Sequence, residues 1–215
     1  MEKGNSDTIL ERCASKLERN NFEVIICRDT AEAGDRIRSV ITTSAPDSIS
    51  FGDSMTLYQT GIIEWLRGQR EYKFIDTFED KVPFRELIER RRQALTCGLF
   101  LTGINAVSIT DGSLHLLDMI GNRIAPVAFG PRKVVLVAGR NKIVENPDEA
   151  FRRIRETAAP KNVARHPGFK TPCAITGVCS DCSSSQRICN ERFILHKCHP
   201  KGRITVILIE EELGL

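Results

Sequence analysis

The alternation of helical and strand patterns through the first hundred residues constrains the fold more than any other feature of the sequence. The predicted segments alternate in this order: helix Asp7–Asn20, strand Phe22–Cys27, a helix capped by Thr30 that ends before Pro46, strand Ser48–Phe51, helix Thr56–Leu66, strand Tyr72–Ile75 and helix Pro83–Leu95. Such alternation requires crossover connections. It therefore predicts an α/β fold with a largely parallel sheet and helices on both faces.

The pattern changes after Leu99, where short apolar runs are separated by Asp-Gly, Gly-Asn and Gly-Pro turns. We expect these runs to be strands, some of them in antiparallel hairpins attached to the same sheet. They are Leu99–Leu101, Ala106–Ile109, Leu114–Leu117, Ile124–Phe129 and Val134–Ala138. A helix is predicted from Asn146 to near Pro160, and the run Ile204–Ile209 is expected to be the final strand.

Length and composition indicate an ordinary globular chain. A chain of 215 residues suits one domain, 1–215. The composition, with 41% hydrophobic and 27% charged residues, excludes the disordered and fibrous classes of protein. No apolar run approaches the ~20 residues of a membrane helix, and the first twenty residues do not resemble a secretory signal. We therefore expect a cytoplasmic protein without a membrane partner. The sequence contains eight cysteines, and in a reducing cytoplasm clustered cysteines bind metal more often than they form disulfides.

Positive charge is concentrated in one part of the chain. Residues 151–203 contain eleven Lys and Arg against three acids, although the net charge of the whole is only +3. A basic segment can bind nucleic acid or an anionic ligand, or offset the charge of thiolates. Only three aromatic residues lie there, so stacking on bases is poorly supported and nucleic-acid binding is disfavoured.

Four cysteines fall within seventeen residues of a Cys-rich loop predicted over residues 170–202. Cys173, Cys179, Cys182 and Cys189 have the spacing C-x5-C-x2-C-x6-C. A two-residue gap lets consecutive thiolates ligate one metal or two corners of a cluster. The sequence therefore predicts a four-cysteine metal centre within this loop.

Spacing leaves the identity of the centre open. Zinc loops usually contain two tight cysteine pairs, whereas here only Cys179 and Cys182 are close, so a compact run of four favours an iron–sulfur cluster of the 4Fe-4S kind. A structural zinc that ties down the loop is the alternative, and reduced or redox-active thiols are the third. Spacing also does not decide whether Cys198 or His199 is a ligand.

The segment Gly52–Thr56 lies where a strand ends and a helix is predicted to begin. Gly52 permits a tight backbone, and Ser54 and Thr56 offer hydroxyls beside free amides, which suits a phosphate or carboxylate. Ligands of open parallel sheets do bind at the carboxyl ends of strands. Plain helix capping by either hydroxyl explains the segment equally well.

A second rim of candidate ligand residues follows in the hairpin region. It consists of Gly103, Asn105, Asp111, Gly112, Asn122 and Arg123. Asp-Gly and Gly-Asn are first of all turn signals, although the Arg123 guanidinium can pair with a carboxylate. No nucleophile elbow, P-loop or dinucleotide fingerprint is present. The reaction is therefore left unidentified by motifs, with Asp53 and Asp111 as candidate general bases.

Longer stretches of the sequence resemble one family, the LUD (lactate utilisation domain) proteins. The resemblance is carried by Leu101–Ala106, Asp111–Leu114, Gly121–Ala125, Phe129–Pro131, Val137–Val144, Pro172–Cys173, Thr176–Cys182, Arg187–Cys189 and Glu212–Gly214. The cysteine-containing part resembles a subgroup of the family that carries cysteines. The similarity covers nearly the whole chain and is most specific over residues 84–215.

The resemblance implies a three-layer α/β/α sandwich like that of ribose-phosphate isomerases, glucosamine-phosphate deaminases and CoA transferases. It also implies that Gly52–Thr56 and the Gly103–Ser113 region face the ligand site. Some LUD proteins act with iron–sulfur oxidoreductase subunits in the oxidation of lactate to pyruvate, so the expected function is a redox accessory role on lactate or a related hydroxy acid. The alternatives are an isomerase- or transferase-like enzyme for a small carboxylate or sugar phosphate, or a non-catalytic binding module, each with structural zinc.

Overall fold

A six-stranded parallel sheet forms the centre of the protein, as described by a computed structural model for residues 8–215. Its strand order is β1-β10-β7-β4-β2-β3, and every neighbouring pair is parallel. The strands are β1 (Glu23–Cys27), β2 (Ser48–Phe51), β3 (Lys73–Ile75), β4 (Leu99–Gly103), β7 (Lys133–Gly139) and β10 (Ile204–Ile209). This arrangement confirms the α/β fold class with a mostly parallel sheet.

A smaller mixed sheet covers part of one face of the central sheet. Its strands, in the order β8-β5-β6-β9, are β8 (Ile143–Val144), β5 (Ala106–Ser108), β6 (Leu114–Asp118) and β9 (Glu191–Leu195). β5 and β6 form an antiparallel hairpin, as expected, and β9 pairs antiparallel with β6 from far along the chain. The expectation that the hairpins extend the main sheet was wrong, since these strands form a sheet of their own.

Helices and the small sheet bury the two faces of the central sheet. The helices are α1 (Ile9–Arg19), α2 (Thr30–Ser44), α3 (Met55–Gln59), α4 (Ile62–Gly68), α5 (Phe84–Ala94), α6 (Ile124–Ala128), α7 (Pro147–Arg153), α8 (Ala159–Ala164) and α9 (Pro172–Thr176). α2, α3 and α4 pack on one face, and α1 and the small sheet pack on the other. Alternate residues of β7 enter the two cores, Val135 one and Leu136 the other, which gives the three layers of the sandwich.

Several predicted boundaries differ from the observed ones for local reasons. The first helix begins at Ile9, after a capping box of Thr8 and Glu11, and its predicted start at Asp7 lies outside the described residues. Asp29 rather than Thr30 caps α2. The predicted helix Thr56–Leu66 is divided in two, because Gly61 adopts a left-handed conformation with φ of 71°.

Two predictions of secondary structure were wrong. The run Ile124–Phe129, predicted to be a strand, contains helix α6, whose first amides are bound by the Asp118 carboxylate. A short apolar run does not distinguish a strand from a buried helix. The helix from Asn146 also continues past Pro160, through a π-helical turn at Ile154–Ala158 and into α8.

The region 170–202 lies between α8 and β10, as expected, but part of it is regular structure. It contains the short helix α9 and the strand β9, which joins the small sheet. Cys13, Cys27 and Cys97 are buried in the two cores, as predicted. Among the described residues, no helix combines the length and the apolar character required to cross a bilayer.

Phe51 at the end of β2 provides a test of the core. Its side chain is 1% exposed, and its ring lies 5.7 Å from Phe74 and 5.5 Å from Phe78. We expect Phe51→Ala to lower the free energy of unfolding by about 3–5 kcal/mol, because it removes buried area and leaves a cavity. Urea denaturation measures the change. Phe129→Ala is the control, since Phe129 is 86% exposed and its loss should cost less than about 0.5 kcal/mol. Equal costs for the two variants would contradict this packing.

Candidate anion site and thiol cavity

A cavity of about 320 Å³ opens at the carboxyl edge of the parallel sheet. Residues that follow four of the parallel strands reach it: Asp53 after β2, Gly103 at the end of β4, Lys142 after β7 and Leu215 after β10. The other sides are closed by the segment that joins β6 to α6, and by the π-helical turn and α8, which meet at Ala159. This edge is where open parallel sheets bind their ligands.

Cationic side chains outnumber acidic ones in the lining. Arg91, Arg123, Lys142 and Arg165 line the cavity, against the carboxylates of Asp53 and Asp118. The Asp118 carboxylate is occupied by three backbone amides, those of Met119, Arg123 and Ile124. The Asp53 carboxylate lies 3.5 Å from the Arg165 guanidinium. The balance of charge therefore suits a small anionic ligand.

Arg123 is held in place by oxygen atoms of three different segments. Its guanidinium donates to the Asp53 carbonyl at 3.2 Å, the Asn105 side-chain oxygen at 2.8 Å and the Leu117 carbonyl at 2.8 Å. None of these acceptors is a carboxylate, so its positive charge is not neutralised by them. Gly52 lies directly behind it, since a Cβ at Gly52 would be 2.5 Å from the Arg123 Cγ.

Lys142 lies in the lining with 4% of its surface exposed. Its ammonium donates to the Thr56 hydroxyl at 2.6 Å, and the Thr56 hydroxyl donates to the Leu213 carbonyl at 3.3 Å. Burial, with the nearby cations Arg153 and Arg123, lowers the pKa of Lys142 to about 7. Near neutral pH, the amine is therefore partly uncharged.

Most of the ligand residues predicted from the sequence meet at this cavity. Ser54, Gly103, Asn105, Asn122 and Arg123 line it, together with the candidate base Asp53. Gly52 and Thr56 stand immediately behind, in contact with Arg123 and Lys142. Ser54 also caps α3 by accepting from the Leu57 amide at 3.2 Å, so the capping interpretation of this hydroxyl is present too.

Asp111 and Gly112 are placed elsewhere. They form the turn between β5 and β6, where Gly112 has a φ of 66°. The Asp111 carboxylate accepts from the Ser113 amide and hydroxyl, and Asn20, which caps the C-terminus of α1, donates to both turn carbonyls. Neither residue lines the cavity. Asp111 thus has a visible role in closing the turn, away from the cation-lined cavity.

A second, small cavity of about 20 Å³ is lined by all four cysteines of the predicted centre. Cys173, Cys179, Cys182 and Cys189 are each half-buried, whereas Cys198 is 1% exposed and belongs to the core. The loop therefore does bring the four predicted thiols to one place and leaves Cys198 outside. Among residues 8–215, no three His, Cys, Asp or Glu side chains converge as the ligands of a single metal ion.

Arg187 organises the thiol loop. Its guanidinium donates to the carbonyls of Cys182 and Cys189, at 2.8 and 3.1 Å, and to the Asp181 carboxylate at 3.2 Å. Asp181, inside the C-x2-C pair, has a φ of 49°, and its amide points at the Cys179 sulfur at 3.5 Å. These hydrogen bonds hold the loop backbone between Cys179 and Cys189 in one conformation.

The two cavities are neighbours. Ala159 and Ile188 line both of them, so one layer of side chains separates the thiols from the cation-lined space. The π-helical turn that ends at Ala158 leads into this wall. π-helical turns are frequent at functional sites.

Comparison with known proteins agrees with this architecture. A family model described as the LUD domain matches residues 10–209. This chain belongs to the LUD-domain family.

The LUD-domain protein is also similar in structure to a DUF162 family protein from Deinococcus radiodurans. The TM-score is 0.54 at 12% sequence identity, and the match covers 94% of this chain and 96% of that chain. At this identity, the likeness shows the fold alone. No curated protein matches the sequence of this LUD-domain protein.

Three cationic residues that line the cavity of the LUD-domain protein were not selected from the sequence. Arg91, Lys142 and Arg165 lie on or beside helices and turns, where a cation most often faces solvent. Lys142 had one available signal, its position directly after the long apolar strand β7, at the edge where ligands bind. Arg91 and Arg165 had none, because only the packing of α5 and α8 brings them to the cavity.

The close approach of Gly52 and Arg123 in this LUD domain predicts a steric effect. We expect Gly52→Ala to destabilise the fold by about 1–3 kcal/mol, because the added methyl overlaps the Arg123 side chain and displaces its hydrogen bonds. The free energy of unfolding in urea measures this. Gly68→Ala is the matched control, since a Cβ there meets nothing within 4 Å and should change stability by no more than about 1 kcal/mol. A neutral Gly52→Ala would show that Arg123 is not confined.

The buried lysine predicts a pH dependence of stability. The pKa of Lys142 is about 7 in the folded chain against an ordinary value of 10.5, so between these values the unfolded chain holds more protons. The free energy of unfolding of the wild type, minus that of Lys142→Met, should therefore increase with pH by up to about 1.4 kcal/mol per pH unit. Below about pH 7 this difference should become constant, because the amine is then protonated in both states. Urea titrations from about pH 6 to about pH 9 measure the difference. A difference that does not change with pH would contradict the neutral buried amine.

Proposed function

We propose that this LUD-domain protein is a redox component in the oxidation of a small hydroxy acid such as lactate, with an iron–sulfur cluster on its four clustered cysteines. One observation carries the proposal: a cavity lined by four thiols shares the wall of Ala159 and Ile188 with a cavity lined by cations. Electron transfer between a cluster and an anionic substrate requires both sites within a short distance. The shared wall meets that requirement.

The residues of the thiol cavity fit a cluster in their chemistry. Cys173, Cys179, Cys182 and Cys189 supply four soft thiolate ligands, the set that iron–sulfur clusters use. The Arg187 guanidinium beside them offsets thiolate charge, and the Asp181 amide is directed at one sulfur. Such a cluster, when bound, accepts and passes on single electrons.

The cation-lined cavity supports a small carboxylate as the substrate. Arg165 and Arg91 present charge to the cavity, while Arg123 keeps the loops after β2 and β4 in place. The Ser54 hydroxyl and the Asn122 side-chain amide line the same cavity and can orient a hydroxyl group of the ligand. In this proposal, the cations bind the carboxylate of the ligand and the neutral polar groups orient its hydroxyl group.

A redox partner is part of the proposal, because oxidation of a hydroxy acid releases a pair of electrons that must leave the protein. Ile175 and Val178 are 77% and 68% exposed and lie in sequence between the first two of the four cysteines. Exposed apolar side chains beside a redox centre suit transient docking of an iron–sulfur oxidoreductase subunit.

A second candidate function follows from Asp53. Its carboxylate lies in the lining and is 23% exposed, so it can serve as a general base for a small anionic substrate. In that case, the protein is an isomerase- or transferase-like enzyme, and the four thiols hold a structural zinc that fixes the loop. The two candidates differ in the metal that the protein contains.

Metal content of protein purified without oxygen tests the first candidate. We expect iron with sulfide and a broad visible absorption, both lost in the double variant Cys179→Ser with Cys182→Ser, because two of four ligands are removed. Cys198→Ala is the matched control, since this thiol is buried in the core outside the cavity and its loss should leave the absorption intact. Colourless wild-type protein with about one zinc would overturn the redox proposal in favour of the second candidate.

Ligand binding tests the cation-lined cavity. We expect Arg165→Met to weaken lactate binding at least ~10-fold, because a charge-assisted hydrogen bond to a carboxylate contributes about 1.5–3 kcal/mol. Isothermal titration calorimetry measures the affinity. Arg140→Met is the control, since Arg140 is 56% exposed in a surface pair with Glu212. Equal affinities of the two variants would place carboxylate binding elsewhere.

A further inference from the structure

The side chain of Lys142 is enclosed where the carboxyl ends of the parallel strands meet. It follows β7 through a single 3-10 turn, Arg140–Lys142, and is 4% exposed while lining the cation-lined cavity. The Gly214 backbone lies over it, since a Cβ on Gly214 would be 3.1 Å from the Lys142 amine and would overlap the Thr56 hydroxyl. The amine is therefore shielded from bulk water and has access to the cavity.

The amine of Lys142 has no acidic side-chain partner within the part of the chain that the structure describes. Its hydrogen bond goes to the Thr56 hydroxyl, and the charged groups that act on it are the guanidiniums of Arg153 and Arg123. The Arg123 guanidinium is bound by one amide oxygen and two carbonyl oxygens, and Arg153, whose pKa burial lowers to about 10, is still cationic near neutral pH. A buried ammonium beside two cations loses its proton readily, and lysines activated in this way are nucleophiles toward carbonyl groups.

The other cations of the cavity determine which class of ligand can bind beside the Lys142 amine. Arg165 and Arg91 face the same space, and the Arg91 Nε is buried without a hydrogen-bond partner among the described residues. Arg91 also packs over the Phe78 ring, with its guanidinium carbon 4.6 Å from the ring centroid. A carboxylate held by these guanidiniums would place a carbonyl carbon bonded to it in the same cavity that Lys142 lines.

We propose that Lys142 forms an imine with the carbonyl carbon of a small 2-oxo acid bound in the cation-lined cavity. The inference rests on the anionic ligand of the proposed function, whose oxidised form is a 2-oxo acid, and does not depend on the metal centre. It assigns a covalent role to a residue that otherwise only lines the wall.

The step balances without an oxidant. The lone pair of the Lys142 nitrogen forms a bond to the carbonyl carbon, and the carbonyl oxygen takes up a proton that the nitrogen releases. The resulting carbinolamine loses its hydroxyl as water, with the second proton from nitrogen, and leaves a carbon–nitrogen double bond. The Thr56 hydroxyl, 2.6 Å from the amine, is placed to relay the proton.

Reductive trapping tests the imine. The protein is incubated with pyruvate and cyanoborohydride, and the adduct is located by intact mass and peptide mapping. We expect one adduct, on Lys142, formed at least ~10-fold faster than on any surface lysine. Lys142→Met should lose this adduct, and Lys161→Met, which removes an exposed lysine of α8, should keep it. Modification spread evenly over surface lysines, or an unchanged rate in Lys142→Met, would overturn the proposal.

Further arms make the result independent of the variant's folding and of the metal centre. In the wild type, acetone, which lacks the carboxylate, should trap at least ~10-fold more slowly than pyruvate. Imine formation needs no electron acceptor, so the wild type should trap pyruvate whether it is purified with iron, with zinc or without metal, even if the redox proposal fails. Pyruvate that binds by calorimetry without an adduct on Lys142 overturns the imine and leaves the anion site standing. Absence of both binding and adduct overturns the imine and the anion site together.

Discussion

Two guanidinium groups hold together the loops on which the cation-lined cavity depends. Arg123 donates to oxygens of Asp53, Asn105 and Leu117, and Arg153 donates to the carbonyls of Asn105, Asn141 and Leu215. The two clamps share Asn105, and between them they bind strand β6 and the segments that follow strands β2, β4, β7 and β10. Both clamps order the loops, and because none of the Arg123 acceptors is a carboxylate, Arg123 also leaves positive charge at the cavity.

That uncompensated charge has a consequence for the chemistry of the cavity. Burial lowers the pKa of Arg153 to about 10, and burial with both clamps lowers the pKa of Lys142 to about 7. Cations that are held by carbonyls attract an anionic ligand and, at the same time, disfavour a further ammonium beside them. The charge of Arg123 therefore supports the proposed anion binding and adds to the effect of burial on the pKa of Lys142. The thiol cavity lies behind the adjoining wall of Ala159 and Ile188.

Sequence patterns were most informative where burial alone determines the structure. The strand Ser48–Phe51 and the final strand Ile204–Ile209 were predicted to the residue. Ile204–Ile209 is buried on both faces and is a nearly continuous apolar run, whereas Ser48–Phe51 alternates polar and apolar residues with the period of a strand. Ile124–Ala128 has the same apolar character and is a helix, since the Asp118 carboxylate caps its amides from outside the run. At Pro160, a preceding π-helical turn accommodates the ring, so the proline does not end the helical segment.

The sequence by itself determined the α/β alternation, the parallel sheet and the residue types that can serve a site. It also determined that Cys179 and Cys182 are close, because two intervening residues hold them together. Only the tertiary structure decided which loops meet: it separated Asp111 from Arg123 and brought Lys142 and Arg165 to the cavity. The reason is that side-chain periodicity reports which face of an element is buried, whereas the meeting of distant loops depends on strand order and on hydrogen bonds between residues far apart in the chain.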